Sequence, residues 1–379
     1  MLAKGIQLTL LMGPVVVVPA PRVVIDALDS VEVTSAAGSD SGFKLTFQFN
    51  SKSDLNQLFL IAGFQGTPVV PALRIILVVT MNGTPQPLFD GVMTRIEANP
   101  GQPGTGGAIT IFGVDLTRMM DTIDWSGLPF PAMPVEARIA LICAKYALFG
   151  LIPLIVPVLF PDIPLPIESI PAQEGSDLKY IKKLARKVHY VFYIEPGPVV
   201  GTNIAYFGPE IKAGVPQPSL NVDMDTLTNV ETINFSLDAD RGVMPIAFVQ
   251  NEATRIPIPI PIPKLNPLQP PLGALSTPLA NVTVLSGTAK LKPLHALEAG
   301  MAVAAASRDA VKANGRLDVL RYGNVLKARQ LVGVRGVGIA FDGLYFVKKV
   351  TSTLQRGSFK QSFDLTRNGI VSITPRVRP

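Results

Sequence analysis

A chain of 379 residues is long enough for two or three domains, each with a core that needs no covalent staple. A single cysteine, Cys143, excludes an internal disulfide framework and any cysteine-based metal cluster, and with only His189 and His295 a zinc site would need several carboxylates. Hydrophobic residues make up 47% and charged residues 16%, so surplus apolar surface is expected to meet another subunit; the net charge of +6 is scattered and argues against nucleic-acid sequence recognition.

The N-terminus, MLAKGIQLTLLMGPVVVVPAP, imitates a secretion signal in its early lysine and apolar run. Gly13 and Pro14 break that run and no cleavage site follows, which predicts paired strands instead. Residues 1–118 read as all-β. Phe43, Leu45, Phe47 and Phe49 alternate with Lys44, Thr46, Gln48 and Asn50, and Leu73 to Thr80 (LRIILVVT) suits a strand covered on both faces. Asn82-Gly83 supplies a tight turn. Leu88 to Asp121 then reads as a strand opened by Phe-Asp-Gly, a Gly/Pro-rich turn and a second strand with a polar tail. Several short strands separated by such turns indicate a barrel or sandwich.

Residues 119–218 read as a mixed helix and strand domain. Pro134 suits the first turn of a helix whose apolar residues Val135, Ile139, Ile142, Cys143 and Tyr146 follow a 3.6 period, and Gly150 can end it. Cys143 on that stripe is a small buried hydrophobe. Leu141 to Phe160 is apolar enough to suggest a membrane span, but it contains Lys145, Gly150, Pro153 and Pro157. No transmembrane segment is expected, and an apolar extended loop should follow the helix. Ser176 caps a second helix with Asp177 in its first turn and Arg186 and Lys187 near its end, the charge order that the helix dipole favours. Leu178, Ile181, Leu184, Ala185 and Val188 form its buried stripe, and Lys182, Lys183, Arg186 and Lys187 its solvated face. An aromatic strand, Tyr190 to Glu195, turns at Pro196-Gly197 and returns through Asn203 to Phe207. Its residues Tyr190, Phe192 and Tyr193, with Tyr206 and Phe207, either stack a ligand or pack a core, the second being the stronger default for aromatics on strands.

Residues 219–250 resume strand alternation, with Ile233, Phe235 and Leu237 against Thr232, Asn234 and Ser236. An insertion of different composition occupies 251–316. Its Ile-Pro run, Ile256 to Pro263, cannot be a central strand because every second residue lacks an N–H, and it reads as a stiff, extended connector. Glu298 to Ala313 reads as an Ala-rich helix stopped by Asn314-Gly315. Residues 317–379 return to β structure and end in a hairpin with Gly357 at its turn. There Phe359, Phe363 and Leu365 face one side and Lys360, Ser362, Asp364 and Thr366 the other.

Chemical signatures are missing. Gly336-Val337-Gly338 lacks the third glycine and the helix of a dinucleotide fingerprint. There is no phosphate loop, zinc-peptidase helix or nucleophile elbow. Asp223 with Asp225, and Asp238 with Asp240, sit in turn-like settings where aspartate serves the backbone, although a carboxylate dyad can also be assembled from distant residues. No catalytic site, cofactor or metal is expected.

Three blocks stand out in order. The first is Leu88 to Asp121, with Asp90, Gly91, Asp115, Leu116 and Asp121. The second is Gln173 to Gly208, with Ser176, Asp177, Leu178, Tyr180, Ile181 and Tyr193. The third is Phe341 to Arg367, with Asp342, Gly343, Tyr345 and Arg367. Together they resemble the late control D or baseplate hub family of contractile phage tails and related injection systems, including the hub half of type VI spike proteins. The resemblance covers about half the chain. It implies a mainly β fold with α+β insertions: a first tube-like β-barrel at 1–118, and a second, discontinuous one at 219–250 and 317–379. It also implies a structural homotrimer at the baseplate, assembled in the bacterial cytoplasm, that joins a six-fold inner tube protein to a three-fold spike and touches other baseplate proteins. Because the chain stops at Pro379, the spike is expected to be a separate protein. The alternatives are a tail-tip enzyme that degrades cell wall and a tube-forming protein without a spike.

Overall fold

The computed structural model describes residues 5–49, 66–67, 70–71, 73–99, 106–158, 170–238, 243–250, 257–260, 270–276, 281–285, 296–297, 300–301, 303–304 and 309–373. Strand is the dominant element, as the alternating patterns require, and the chain divides into two compact units. The first comprises Met1–Arg186, Val191–Gly208 and Thr351–Lys360; the second comprises Lys187–Tyr190, Pro209–Val350 and Gln361–Pro379.

In the first unit the strands are β1 (Ile6–Gly13), β2 (Val18–Pro19), β3 (Leu28–Ala36), β4 (Gly42–Phe49), β5 (Arg74–Met81), β6 (Thr84–Asn99) and β7 (Gly107–Asp115). They form a sheet in the order β3-β4-β7-β6-β5-β1-β2, antiparallel at every junction. Phe43, Leu45 and Phe47 are buried on the core face of β4, and β5 is covered on both sides over Arg74–Val79, as its unbroken apolar run demands. Burying each such side chain contributes about 1.5–3 kcal/mol. Asn82 (φ 49°) and Gly83 (φ 82°) make the turn from β5 to β6 in left-handed conformations.

The same unit holds the helix Val135–Ala144, a 3₁₀ turn at Ala147–Phe149 and Gly150 at φ 71°. The stretch read as an apolar loop forms β8 (Leu151–Ile155) instead. It pairs in parallel with β10 (Asn203–Gly208), which pairs antiparallel with β9 (Val191–Pro196). Proline at 153 is accommodated because β8 lies at the edge of this three-stranded sheet. The helix Asp177–Lys187 buries Leu178, Ile181, Leu184 and Ala185 and exposes Lys182, Lys183 and Arg186, as its sequence period predicts. Among the described residues no helix is long and apolar enough to cross a membrane.

The second unit contains β11 (Gln217–Asn221), β12 (Val230–Leu237), β13 (Val243–Gln250), β14 (Pro257–Ile260), β15 (Gly273–Ser276), β16 (Asn281–Val284), β17 (Val311–Asp318), β18 (Leu331–Arg335), β19 (Gly343–Gln355), β20 (Ser358–Arg367) and β21 (Gly369–Ser372). Its principal sheet runs β12-β17-β20-β19-β18-β11. Position for position this is the order β3-β4-β7-β6-β5-β1 of the first unit, except that β11 lies parallel to β18 where β1 lies antiparallel to β5. Phe-Asp-Gly occurs in or just before a long strand of each unit, at Phe89-Asp90-Gly91 and Phe341-Asp342-Gly343, and the likeness extends to the sequence of strands across each sheet. Thr351–Lys360, the far end of the β19–β20 hairpin, lies within the first unit, where β19 borders β3.

Two readings of the insertion are corrected. Pro257–Ile260, expected as a polyproline-like connector, pairs with β13 in register Ala247↔Ile260 to Gln250↔Pro257. The order β14-β13-β16 makes it an edge strand. Alternation explains this: N–H groups of successive strand residues point to opposite sides, so Ile258 and Ile260 can bond to β13 while the prolines face outward. The rest of the Ile-Pro run lies outside the described residues. The predicted helix over 298–313 does not reach its expected end, because Val311–Asp318 forms β17 with Asn314 and Gly315 opposite Asn234 and Ile233.

Candidate functional site

The residues singled out by sequence, Tyr193 apart, fall in or beside three buried polar groups, each within one unit. In the first, Arg74 stands alone as a charge in the apolar run of β5, and Asp90 lies on the adjacent strand β6. Arg74 donates from Nε to Asp90 Oδ1 at 2.8 Å and from a terminal nitrogen to Oδ2 at 2.6 Å, with the side chains 3% and 1% exposed. Asn203 Nδ2 donates to the same Oδ2 at 2.7 Å, and Arg74 also donates to the carbonyls of Phe149 (2.9 Å) and Gly201 (3.2 Å). A bidentate pair with added carbonyl acceptors is the arrangement in which a buried charge is tolerated; the other terminal nitrogen of Arg74 meets the Val15 carbonyl at 3.5 Å, and Asn203 Oδ1 is buried without a hydrogen-bond partner. It ties β5 and β6 to the segment leading into β8 and to β10. Gly91 beside it is required by space, since a Cβ there would lie 2.2 Å from the Val114 carbonyl oxygen.

The second group surrounds the start of the helix Asp177–Lys187. Asp115 accepts from the Thr117 amide at 3.0 Å and opens a 3₁₀ helix, Leu116–Asp121, in which Leu116 is buried. Asp121 accepts from the Ser176 hydroxyl, and Ser176 Oγ caps the helix by accepting from the Lys179 amide at 3.3 Å. Asp177 is fully buried. It accepts from Lys145 Nζ (3.1 and 3.2 Å), Tyr146 Oη (2.8 Å) and Gln173 Nε2 (2.7 Å). Burial, then the hydrogen bond to Asp177, pushes the Tyr146 phenol up from its ordinary value, and burial pushes the Cys143 thiol up to about 12. Tyr180 stacks on Phe130 with ring centroids 5.6 Å apart and meets Arg138 at 3.3 Å, and Ile181 fills the core below.

The third group closes the β19–β20 hairpin at its base. Arg367, fully buried, donates to the carbonyls of Gly369 (2.5 Å), Asp342 (2.8 Å) and Ala340 (2.7 Å), and its guanidinium lies 4.6 Å from the Tyr345 ring centroid. Burial pulls the Arg367 guanidinium below its ordinary value, opposed by Tyr345 and Asp342. Tyr345 donates to the Phe341 carbonyl at 2.8 Å, and burial pushes its phenol up to about 12. Asp342 Oδ1 accepts from the Val337 amide at 2.9 Å. Gly343, at φ 132°, leaves room for Arg367, whose nitrogen would sit 2.9 Å from a Cβ.

All three groups position backbone; their polar atoms face protein. Sequence reasoning missed Arg74, Asn203, Lys145, Gln173 and Gln361. Gln361 is fully buried on the apolar side of β20 and bonds both the amide (2.8 Å) and the carbonyl (3.0 Å) of Leu326. For Arg74, Lys145 and Gln361 the available signal was a lone polar residue inside an apolar pattern, which burial obliges to find a partner; Gln173 and Asn203 stand among polar or small residues and gave no such signal. Tyr193 stacks on Tyr206 at 5.0 Å, and Phe192 pairs with Phe207 at the next register position. The two pairs therefore occupy opposite faces of the small sheet and do not make one ligand-stacking wall. Asp223 and Asp225 hold left-handed turn conformations (φ 47° and 50°), and Asp240 lies outside the described residues. Among the described residues no group of three or more His, Cys, Asp or Glu could hold a metal.

No known protein family and no curated protein matches the chain by sequence. Solved structures do match its fold. A tail protein from Neisseria meningitidis aligns with a TM-score of 0.62 at 14% identity, covering 97% of this chain and 98% of that one. The 43 kDa tail protein of prophage MuSo2 from Shewanella oneidensis aligns at 0.58 and 12%, covering 95% and 98%. An Escherichia coli component of the type VI secretion system, itself structurally similar to the T4 bacteriophage tail proteins gp27 and gp5, aligns at 0.50 and 10%, covering 93% and 77%. Over nearly its whole length, this chain has the mainly β fold of phage tail proteins, the fold that the three sequence blocks imply.

Proposed function

We propose that this chain is the structural hub of a contractile tail or injection particle, a homotrimer that joins a six-fold inner tube protein to a three-fold spike protein at the baseplate. The observation that carries the reading is the strand order, β3-β4-β7-β6-β5-β1 in one unit and β12-β17-β20-β19-β18-β11 in the other. Three chains with two like modules each present six similar surfaces, which meets a hexagonal ring on one side while the trimer keeps three-fold symmetry for the spike. The whole-length likeness to tail proteins supports the same reading. So does exposed apolar surface in the first unit, where Val16, Val18, Val23 and Ile25 are 44–77% accessible.

In this role the three buried groups hold the modules in shape and carry out no reaction. The domain limits 1–118, 119–218, 219–250 with 317–379, and 251–316 then mark a first barrel, a linking domain, a second barrel and its insertion. The particle would be assembled in the bacterial cytoplasm and would place this chain among other baseplate proteins. Light scattering on the purified protein tests the reading: the expected mass is three times the 40.5 kDa chain. A monomer at micromolar concentration, or lysis of peptidoglycan above the buffer rate, overturns it.

A further inference from the structure

The apolar run Leu141 to Phe160, too interrupted to cross a membrane, is left unused by the hub role. Between Lys145 and Asp162 the chain has no charged residue, and between Glu195 and Glu210 it again has none. The first unit brings these two stretches together. Arg74 donates to the carbonyls of Phe149 and Gly201, at 2.9 and 3.2 Å, and the Asn203 amide donates to the Gly150 carbonyl at 2.8 Å. The approach is close: a Cβ at Gly150 would fall 2.2 Å from the Gly201 carbonyl oxygen. From Leu151 onward β8 runs in parallel register beside β10.

Phe149 and Leu151 are buried, whereas Leu148, Ile152, Leu154 and Val199 are each more than half exposed, and Val200 is exposed beside them. These are a different set from Val16, Val18, Val23 and Ile25. What can cover them is limited first by the strand edge. The Gly150 carbonyl and the Val156 amide both bond toward β10, so by alternation the even-numbered positions of β8 face inward and Pro153 stands on the outer edge, where it has no amide. A strand added there meets a broken ladder. The residue types limit it further. Leucine, isoleucine and valine stand out without the tryptophan, tyrosine or arginine that usually anchors a protein interface, and no charge within either stretch directs a charged partner.

We propose that Leu148, Ile152, Leu154, Val199 and Val200 form a shallow anchor that enters the surface of a lipid bilayer with uncharged head groups. Acyl chains offer hydrocarbon without a fixed shape, which suits aliphatic side chains carried on a turn, an edge strand and a hairpin tip. Surface binding of this kind grows with the apolar area inserted and with attraction to anionic lipid, and here only the first contribution is available. The contact is therefore insensitive to salt. The Arg74 bonds hold the two segments together before any lipid is met, so insertion does not have to order them. The inference goes beyond the hub reading and does not rest on it.

Flotation of the purified full-length chain with extruded vesicles of phosphatidylcholine alone tests it. The chain is expected to float with the vesicles, equally at low and at high salt. Leu148→Asp and Val199→Asp should each lower the partition coefficient about tenfold, the loss of one inserted aliphatic side chain. Both positions are exposed, so the circular dichroism and the mass by light scattering should stay those of the unchanged chain; if an aspartate variant fails to fold, Leu148→Ser and Val199→Ser read the same loss in smaller measure. No flotation overturns the proposal. So does flotation that needs phosphatidylglycerol and is lost at high salt, or variants that float like the unchanged chain. Folded variants with an altered mass overturn it as well, because the side chains would then be covered by another copy of the chain.

Discussion

Replacing Asp90 with leucine strands the Arg74 guanidinium inside the first unit. Arg74 would keep the carbonyls of Phe149 and Gly201 but lose both carboxylate contacts, at 2.8 and 2.6 Å, in a site where its side chain is 3% exposed. Breaking one side of such a buried pair costs about 3–5 kcal/mol because the remaining charge has no compensation. In a unit of some 200 residues each kcal/mol moves the melting point by about 2–4 °C, so Asp90→Leu should lower it by about 6–20 °C. Arg74→Met should cost a similar amount, since it leaves the carboxylate buried. The double variant removes both charges at once and should cost far less than the two single losses together. Urea titrations followed by Trp125, the one tryptophan of the chain and a member of the same unit, give all four corners of the cycle. A double variant whose loss equals the sum of the singles within about 0.5 kcal/mol would refute the reasoning, because the two side chains would then not act as a pair.

Four further outcomes are expected. Asp177→Ala removes the acceptor shared by Lys145, Tyr146 and Gln173 and should cost about 3 kcal/mol or more, read as an earlier melt by circular dichroism. Gly91→Ala drives a Cβ to 2.2 Å from a backbone oxygen and should cost about 1–3 kcal/mol or prevent folding. Gly357→Ala, at φ 80° with open space around it, should cost only about 1–2 kcal/mol for the left-handed backbone, and chemical denaturation separates the two. The Cys143 thiol and Tyr345 phenol both titrate higher in the fold than their ordinary values of 9.0 and 10.0, at about 12. The protonated forms are therefore the ones the fold favours. Their contribution is complete below pH 9 and is lost as pH rises from about 9 to 12, so the melting point should fall across that window and Cys143 should resist thiol reagents at pH 8 until the protein unfolds.

Local periodicity carried much of the fold. The helix Asp177–Lys187 was legible because Ser176 caps it and apolar residues recur every three or four positions, and the β19–β20 hairpin because its pattern alternates around Gly357. Where a short polar motif had to be assigned one meaning, tertiary context decided otherwise. Asn314-Gly315 reads as a helix stop, yet both lie inside β17, where glycine is needed because a Cβ would fall 2.4 Å from the Thr232 carbonyl oxygen and against Phe363. The polar groups were half legible: Asp90 and Asp177 stood out, but their partners are distant in the chain. Asn203 reaches Asp90 across 113 positions and Lys145 reaches Asp177 across 32, and no spacing rule connects them. The repeated strand order was likewise hidden, since the units share little beyond Phe-Asp-Gly and the order itself is set by long-range pairing.

The Ile-Pro segment has a consequence for what its sheet edge can recruit. A ladder that ends in prolines is a ratchet: the inner side has donors to engage β13, and the outer side offers carbonyls without a single amide at Pro257 or Pro259 to recruit another chain. Accretion halts there after one layer, as a selvedge keeps cloth from unravelling or growing. Such a terminus confines strand addition to the edges where amides are still on offer.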